Sequence, residues 1–168
     1  MEPTETIPSR TALEREYRAA LPRLERVLSE MISRVRARLE LTGLFPAYKQ
    51  RIKSFNSYFS KRVKFMREAV SAGTRPLPVT DVLAVRVICP FIGDLQRVED
   101  ALAAEFTIRE VEHKGSQSSF KEFGYQSTHL LLELPEDLRD GLELLEPPVC
   151  EVQVRSRNEP VRVRLLLA

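Results

Sequence analysis

The chain has 168 residues, 43% of them hydrophobic and 30% charged, which describes a globular domain with a hydrophobic core and excludes a disordered polymer. Its formal net charge of +2 is too small to draw in nucleic acid or a membrane by bulk attraction, so any basic site has to be local. Two cysteines and two histidines at scattered positions make no zinc pattern, and Cys89 and Cys150, each in an apolar run, are expected to be small buried side chains in a reducing compartment. No apolar run reaches the roughly 18 residues of a membrane span. The opening "MEPTETIPSR" lacks the regions of a signal peptide. A cytoplasmic chain is the expectation, with no membrane or nucleic-acid partner.

In chain order, residues 1–10 are expected to be a flexible tail and 11–45 an N-terminal helical segment. Leu13, Tyr17, Leu21, Leu24, Leu28, Val35 and Leu39 recur at helical spacing, and Pro22 is expected to kink or split that helix. After the break at "LTGLFP", a second helix is expected over about Ala47 to Val70. Its apolar stripe is Ile52, Phe55, Phe59, Val63 and Met66, beside a polar stripe of Lys53, Ser57, Lys61 and Lys64. "DVLAVRVICPF" predicts a strand opened by Asp81, and "DLQRVEDALAAEF" a short helix. "FTIREVEHK", residues 125–134 and "VCEVQVRS" predict three more strands, the first two separated by the polar loop "GSQSSFKEFG". The pattern α-α-β-α-β-β-β implies an α/β or α+β fold, a sheet with helices packed on it.

Three polar clusters interrupt this pattern. The basic stripe of the second helix is either a solvated face or a phosphate site, with Lys53 and Lys61 a little over two helical turns apart. Arg86 sits within the apolar run "DVLAVRVI", where a guanidinium needs a structural ion pair or a ligand-filled cleft. Alternation places Tyr125, Ser127 and His129 on one face of their strand, opposite Thr128, Leu130, Leu132 and Leu134. The same rule sets Glu151, Gln153 and Arg155 opposite Cys150, Val152 and Val154. A tyrosine, a histidine, carboxylates and cations on one concave face would suit a nucleotide: the ring stacks a base, cations hold phosphates and carboxylates hold Mg²⁺. No Walker loop and no G-x-G-x-x-G opening a helix are present, so phosphate binding has to rest on side chains.

"RIKSFNSYFSK", "DVLAVRVI", "FGYQSTHLLL" and "CEVQVRS", in that order, resemble the motifs of the RelA/SpoT family of alarmone synthetases, in particular its small stand-alone members. The resemblance covers about Arg51 to Ser156, within a synthetase domain at 46–156. It implies a nucleotidyltransferase-like mixed sheet flanked by helices. It also implies transfer of the β,γ-pyrophosphate of ATP to the 3′-hydroxyl of GTP or GDP, giving (p)ppGpp in the stringent response. By the same match Asp81 and Glu151 would be the catalytic carboxylates and Mg²⁺ ligands, Glu151 also able to take the hydroxyl proton. Arg51 and Arg86 would sandwich adenine, and Lys53, Ser54 and Lys61 would sit on the ATP phosphates. Tyr125 would stack on guanine, His129 would reach the acceptor's phosphates or ribose, Lys114 and Lys121 would hold its phosphates, and Gln153 would contact it. A homo-oligomer, a tetramer in small members of the family, is the implied assembly.

Two departures accompany the match. The family's hydrolase domain has no counterpart, since neither histidine is followed by Asp, and no degradation is expected. Where the family continues into a helix, residues 157–168 are instead expected to form an atypical, shortened tail, because Pro160 in "RNEPVRVRLLLA" opposes a helix. That tail keeps open a catalytically impaired guanine-nucleotide-binding relative, and the basic helix a separate alternative, an RNA-binding module.

Overall fold

The structure is a computed structural model and describes residues 9–114 and 127–157. The helix α1 (Arg10–Leu41) is followed by β1 (Ala47–Ile52), α2 (Phe55–Ala72), β2 (Leu83–Cys89) and α3 (Asp94–Glu105). Next come β3 (Ile108–Lys114), β4 (Ser127–Glu133), one 3₁₀ turn and β5 (Val149–Ser156). The strands form one mixed sheet in the order β1-β2-β5-β4-β3. β2 and β5 are parallel, and every other pair is antiparallel.

Two expectations are corrected. Pro22 neither splits nor ends α1, which runs unbroken through it. An interior proline costs about 3 kcal/mol. Here it lies on the exposed side of the helix, where water can take the freed carbonyl. Meanwhile Leu13, Tyr17, Leu24, Val27, Leu28, Met31, Val35 and Leu39, on both sides of it, are all at most 2% exposed. Burying each such side chain is worth about 1.5–3 kcal/mol, so the face outweighs the proline.

The second correction concerns residues 47–52, which form an edge strand and not the first turns of a helix. Tyr48 and Ile52 fit helical spacing and strand alternation equally well. Register with β2 settles the matter, pairing Tyr48 with Val87 and Ile52 with Leu83. The sheet therefore has five strands where the sequence suggests four. α2 begins after Ser54, whose Oγ accepts the Ser57 N–H at 3.3 Å, and stops at Gly73, held at φ +64°.

α1 and α3 pack against each other and against the sheet. The core lies beneath them: Leu83, Val85, Val87 and Cys89 of β2, Leu130 and Leu132 of β4, and Cys150, Val152 and Val154 of β5. Cys89 and Cys150 are free and buried, as expected. Burial pushes their thiols up to about 11 and about 12, so neither is a thiolate near neutral pH. No described helix is long and apolar enough to cross a membrane.

Candidate active site

Strand register collects the polar residues in rows. Directly paired residues share a face. One row across the sheet reads Arg51, Ala84, Glu151, Leu131 and Glu110. The next reads Lys49, Arg86, Gln153, His129 and Glu112. Both rows lie opposite the helix-covered face. The single-sided polar sets expected on β4 and β5 are thus neighbours, and β1 and β2 extend them.

A chain of hydrogen bonds runs along this face. His129 Nδ1 lies 3.1 Å from Glu151 Oε1, and Gln153 Nε2 donates to Glu151 Oε2 at 3.0 Å. Arg86 donates through Nε and Nη2 to Gln153 Oε1 at 3.4 and 3.3 Å. Because a carboxylate only accepts, the imidazole proton facing it belongs on Nδ1. Both Glu151 oxygens are thereby oriented, each by one hydrogen-bond partner among the described residues. Among the described residues no carboxylate pairs with Arg86. Its guanidinium is held by an amide at the open face and not spent on a core ion pair.

Asp81 lies two residues before β2, on the connection and not within the strand. Lys53 Nζ is 2.8 Å from its Oδ2 and Lys61 Nζ is 3.0 Å from its Oδ1. Burial works to raise the Asp81 carboxyl. Hydrogen bonds from Lys53 and Lys61, with their charges, outweigh it and hold the group below the usual carboxylate range. Asp81 Oδ1 is buried, with the Lys61 ammonium beside it.

The two lysines do not share a helical stripe, as their spacing suggests. Lys53 occupies the junction between β1 and α2, and its backbone N–H donates to Val82 O at 2.8 Å. Only Lys61 is in α2. They converge because the junction and the helix flank one carboxylate. Arg51 is on β1, exposed, two residues before Lys53. Ser54 serves as the α2 cap, its hydroxyl 3.0 Å from Ser57 Oγ. Lys114 is in β3 with Nζ 3.4 Å from Glu112. Lys121 and Tyr125 lie outside the described residues.

Four residues that sequence reasoning missed also reach this face. Lys49 and Glu112 are in register with Arg86 and His129. Thr80, Glu110 and Glu112 join His129, Leu131 and Glu151 around a cavity of about 120 Å³. Alternation along β3 could have found Glu110 and Glu112. Lys49 was hidden by reading β1 as helix. A larger cleft of about 900 Å³, between α1, α2 and the connections 76–79 and 141–147, holds none of the predicted residues.

The donor set fits Mg²⁺. The ion takes hard oxygen ligands, needs only one or two carboxylates and completes its shell with water and substrate phosphates. Asp81 and Glu151 supply such oxygens at the N-terminal side of the parallel pair β2 and β5, where Glu151 is in register with Ala84. No group of three or more potential metal ligands occurs among the described residues, so the protein alone offers no closed metal cage.

Residues 50–162 match a family described as the region found in RelA/SpoT proteins. The chain is 33% identical over 110 residues to the GTP pyrophosphokinase YwaC of Bacillus subtilis (strain 168), covering 64% of this chain and 50% of that one. It therefore spans about half the length of this curated relative. The fold is similar to small alarmone synthetase 1 of Bacillus subtilis bound to its product pppGpp (TM-score 0.55, 20% identity, 84% of this chain and 72% of that one). It is also similar to small alarmone synthetase 2 of the same organism (TM-score 0.52, 24% identity, 84% and 73%). These likenesses agree with the expected mixed sheet flanked by helices.

Proposed function

The chain belongs to the RelA/SpoT family, and we propose that it is a (p)ppGpp synthetase, moving the β,γ-pyrophosphate of ATP to the 3′-hydroxyl of GTP or GDP. The observation that carries this reading is the pair of oriented carboxylate clusters: Asp81 between Lys53 and Lys61, and Glu151 between His129 and Gln153.

In the proposed step the acceptor's 3′-oxygen bonds to the β-phosphorus of ATP. The bond from that phosphorus to the α,β-bridging oxygen breaks, and AMP leaves. The hydroxyl proton passes to Glu151. A ribose hydroxyl is a weak nucleophile near neutral pH, and a positioned carboxylate is the group that can take its proton. The remainder of the task is alignment and charge neutralisation. Lys53 and Lys61 supply cations beside the transferred phosphates, and Arg51 and Arg86 offer planar guanidinium faces for adenine. Gln153 keeps Arg86 and Glu151 in fixed relation, between the donor and acceptor sides. On the acceptor side stand His129 and Lys114, with Lys121 and Tyr125 assigned by sequence alone. Asp81 and Glu151 would hold Mg²⁺, which when bound neutralises charge on the phosphates.

The RNA-binding alternative loses support because residues 50–162 match the RelA/SpoT family. A homo-oligomer working in the cytoplasm is part of the same proposal. The test is incubation with γ-labelled ATP and GTP, GDP or GMP, with and without Mg²⁺. Label on the guanine nucleotide and equimolar AMP are expected. Guanine-nucleotide binding without AMP release would instead place the chain with the catalytically impaired relatives.

A further inference from the structure

Tyr17 lies in α1, ahead of the region at 50–162 that the family match covers, and the chemistry above gives it no part. It is 2% exposed. Its ring centroid is 5.1 Å from that of Tyr58 and 5.6 Å from that of Phe55. This packing accounts for a buried ring but not for a hydroxyl, and the hydroxyl donates to the backbone carbonyl of Lys53.

Lys53 needs such a partner. It sits between the last residue of β1 and the cap of α2, where the pairing with the β2 segment takes its N–H but its carbonyl accepts from neither strand nor helix. The first helical acceptor is the next carbonyl, Ser54 O, which takes the Tyr58 N–H at 2.9 Å. The Lys53 N–H is tied to Val82 O, adjacent to Asp81. Its carbonyl is tied to Tyr17, and its Nζ to Asp81. Burial, with the Tyr58 and Asp81 charges, pushes the Tyr17 phenol up to about 12, so it stays a donor throughout the neutral range.

We infer that Tyr17 is a positioning residue for ATP: its hydroxyl sets the direction in which Lys53 leaves the β1–α2 junction and so places the ammonium between Asp81 and the nucleotide's phosphates. This rests on the pyrophosphotransferase reading, since it takes Lys53 as a phosphate ligand. Lysine is a point charge on a flexible stem. Fixing the peptide that carries it reduces what binding must order. Removing the hydroxyl therefore costs ATP affinity while leaving the acceptor side alone.

The experiment is a double-mutant cycle on the full chain, read by calorimetry with a non-hydrolysable ATP analogue and separately with GDP, beside thermal melts. Tyr17→Phe keeps the ring. It is expected to weaken the ATP analogue about five-fold or more and GDP by less than about two-fold. In a Lys53→Ala background the same substitution is expected to change ATP affinity by less than about two-fold, because the group it positions is gone. Unchanged ATP affinity, equal losses for both nucleotides, or the same loss in both backgrounds would each overturn the inference. So would a Tyr17→Phe chain that does not fold, because the hydroxyl would then serve the fold and not the ligand. An unsubstituted chain that binds no ATP analogue would sink the synthetase reading as well, whereas normal binding without a Tyr17 effect sinks only this inference.

Discussion

Asp81 is the residue on which two lysines converge, and its behaviour with pH can be worked out from that. Its folded carboxyl lies below its ordinary value of 3.8. A depressed folded value means stabilisation fully present above the unfolded value and lost as pH falls through the still lower folded one. Asp81→Asn should therefore melt below the wild type near neutral pH, with the gap closing as pH falls below about 4. Thermal melts of both chains from pH 7 to pH 3 would check this, and a gap independent of pH would contradict the ion pairing. The same variant should lose at least about 100-fold in turnover, or roughly 2.7 kcal/mol of barrier. Tyr125 belongs at this scale too. Stacking needs the ring face and is worth about 1–3 kcal/mol. Tyr125→Ala should raise the apparent acceptor constant about ten-fold while Tyr125→Phe stays near wild type. Steady-state kinetics with each nucleotide varied in turn separates this from a general stability loss, which would affect both substrates alike.

Among the elements, α1 and α2 show how local signals and tertiary burial compete. Ser54 and Gly73 bracket α2 by ordinary capping chemistry. Ser54→Ala should cost about 1 kcal/mol, a melting shift of about 2–4 °C in a chain of this size. Pro22 is the opposite case, a local signal that burial overrides. Since it is exposed within a continuous helix, Pro22→Ala should restore a backbone hydrogen bond and raise stability by about 1–3 kcal/mol. Chemical denaturation of the two variants would measure both shifts. A destabilised Pro22→Ala chain would mean that the proline ring itself is needed at this position. β1 shows why boundaries were hard to place. Its exposed side chains carry no strand alternation strong enough to beat helical spacing, and only pairing with β2 decides between the two.

For the molecule as a whole, the sheet divides the work between its faces. Leu130 is fully buried in β4, next to His129 on the open side. Leu130→Ala should cost about 2–5 kcal/mol, a large part of the 5–15 kcal/mol typical of a domain. Glu151→Gln, at the open face, should abolish transfer with little change in melting. Comparing the two by denaturation and by the labelled-ATP assay tests the division directly. Equal losses of stability would mean that Glu151 supports the fold.

That division was legible in the sequence. Side-chain direction along a strand is a local property with period 2, so "STHLLLE" and "VCEVQVRS" displayed their polar and apolar faces before any pairing was known. The four motifs in order likewise identified the family. Other features depended on contacts between distant segments. Lys53 and Lys61 meeting on Asp81, Arg86 held by Gln153, His129 turned to Glu151, and Tyr17 reaching Lys53 across 36 positions are all of this kind. Spacing along the chain carries no information about such partners, because a hydrogen bond or ion pair is set by the position of both groups in space. Those positions follow only once strand order, register and helix packing are established together.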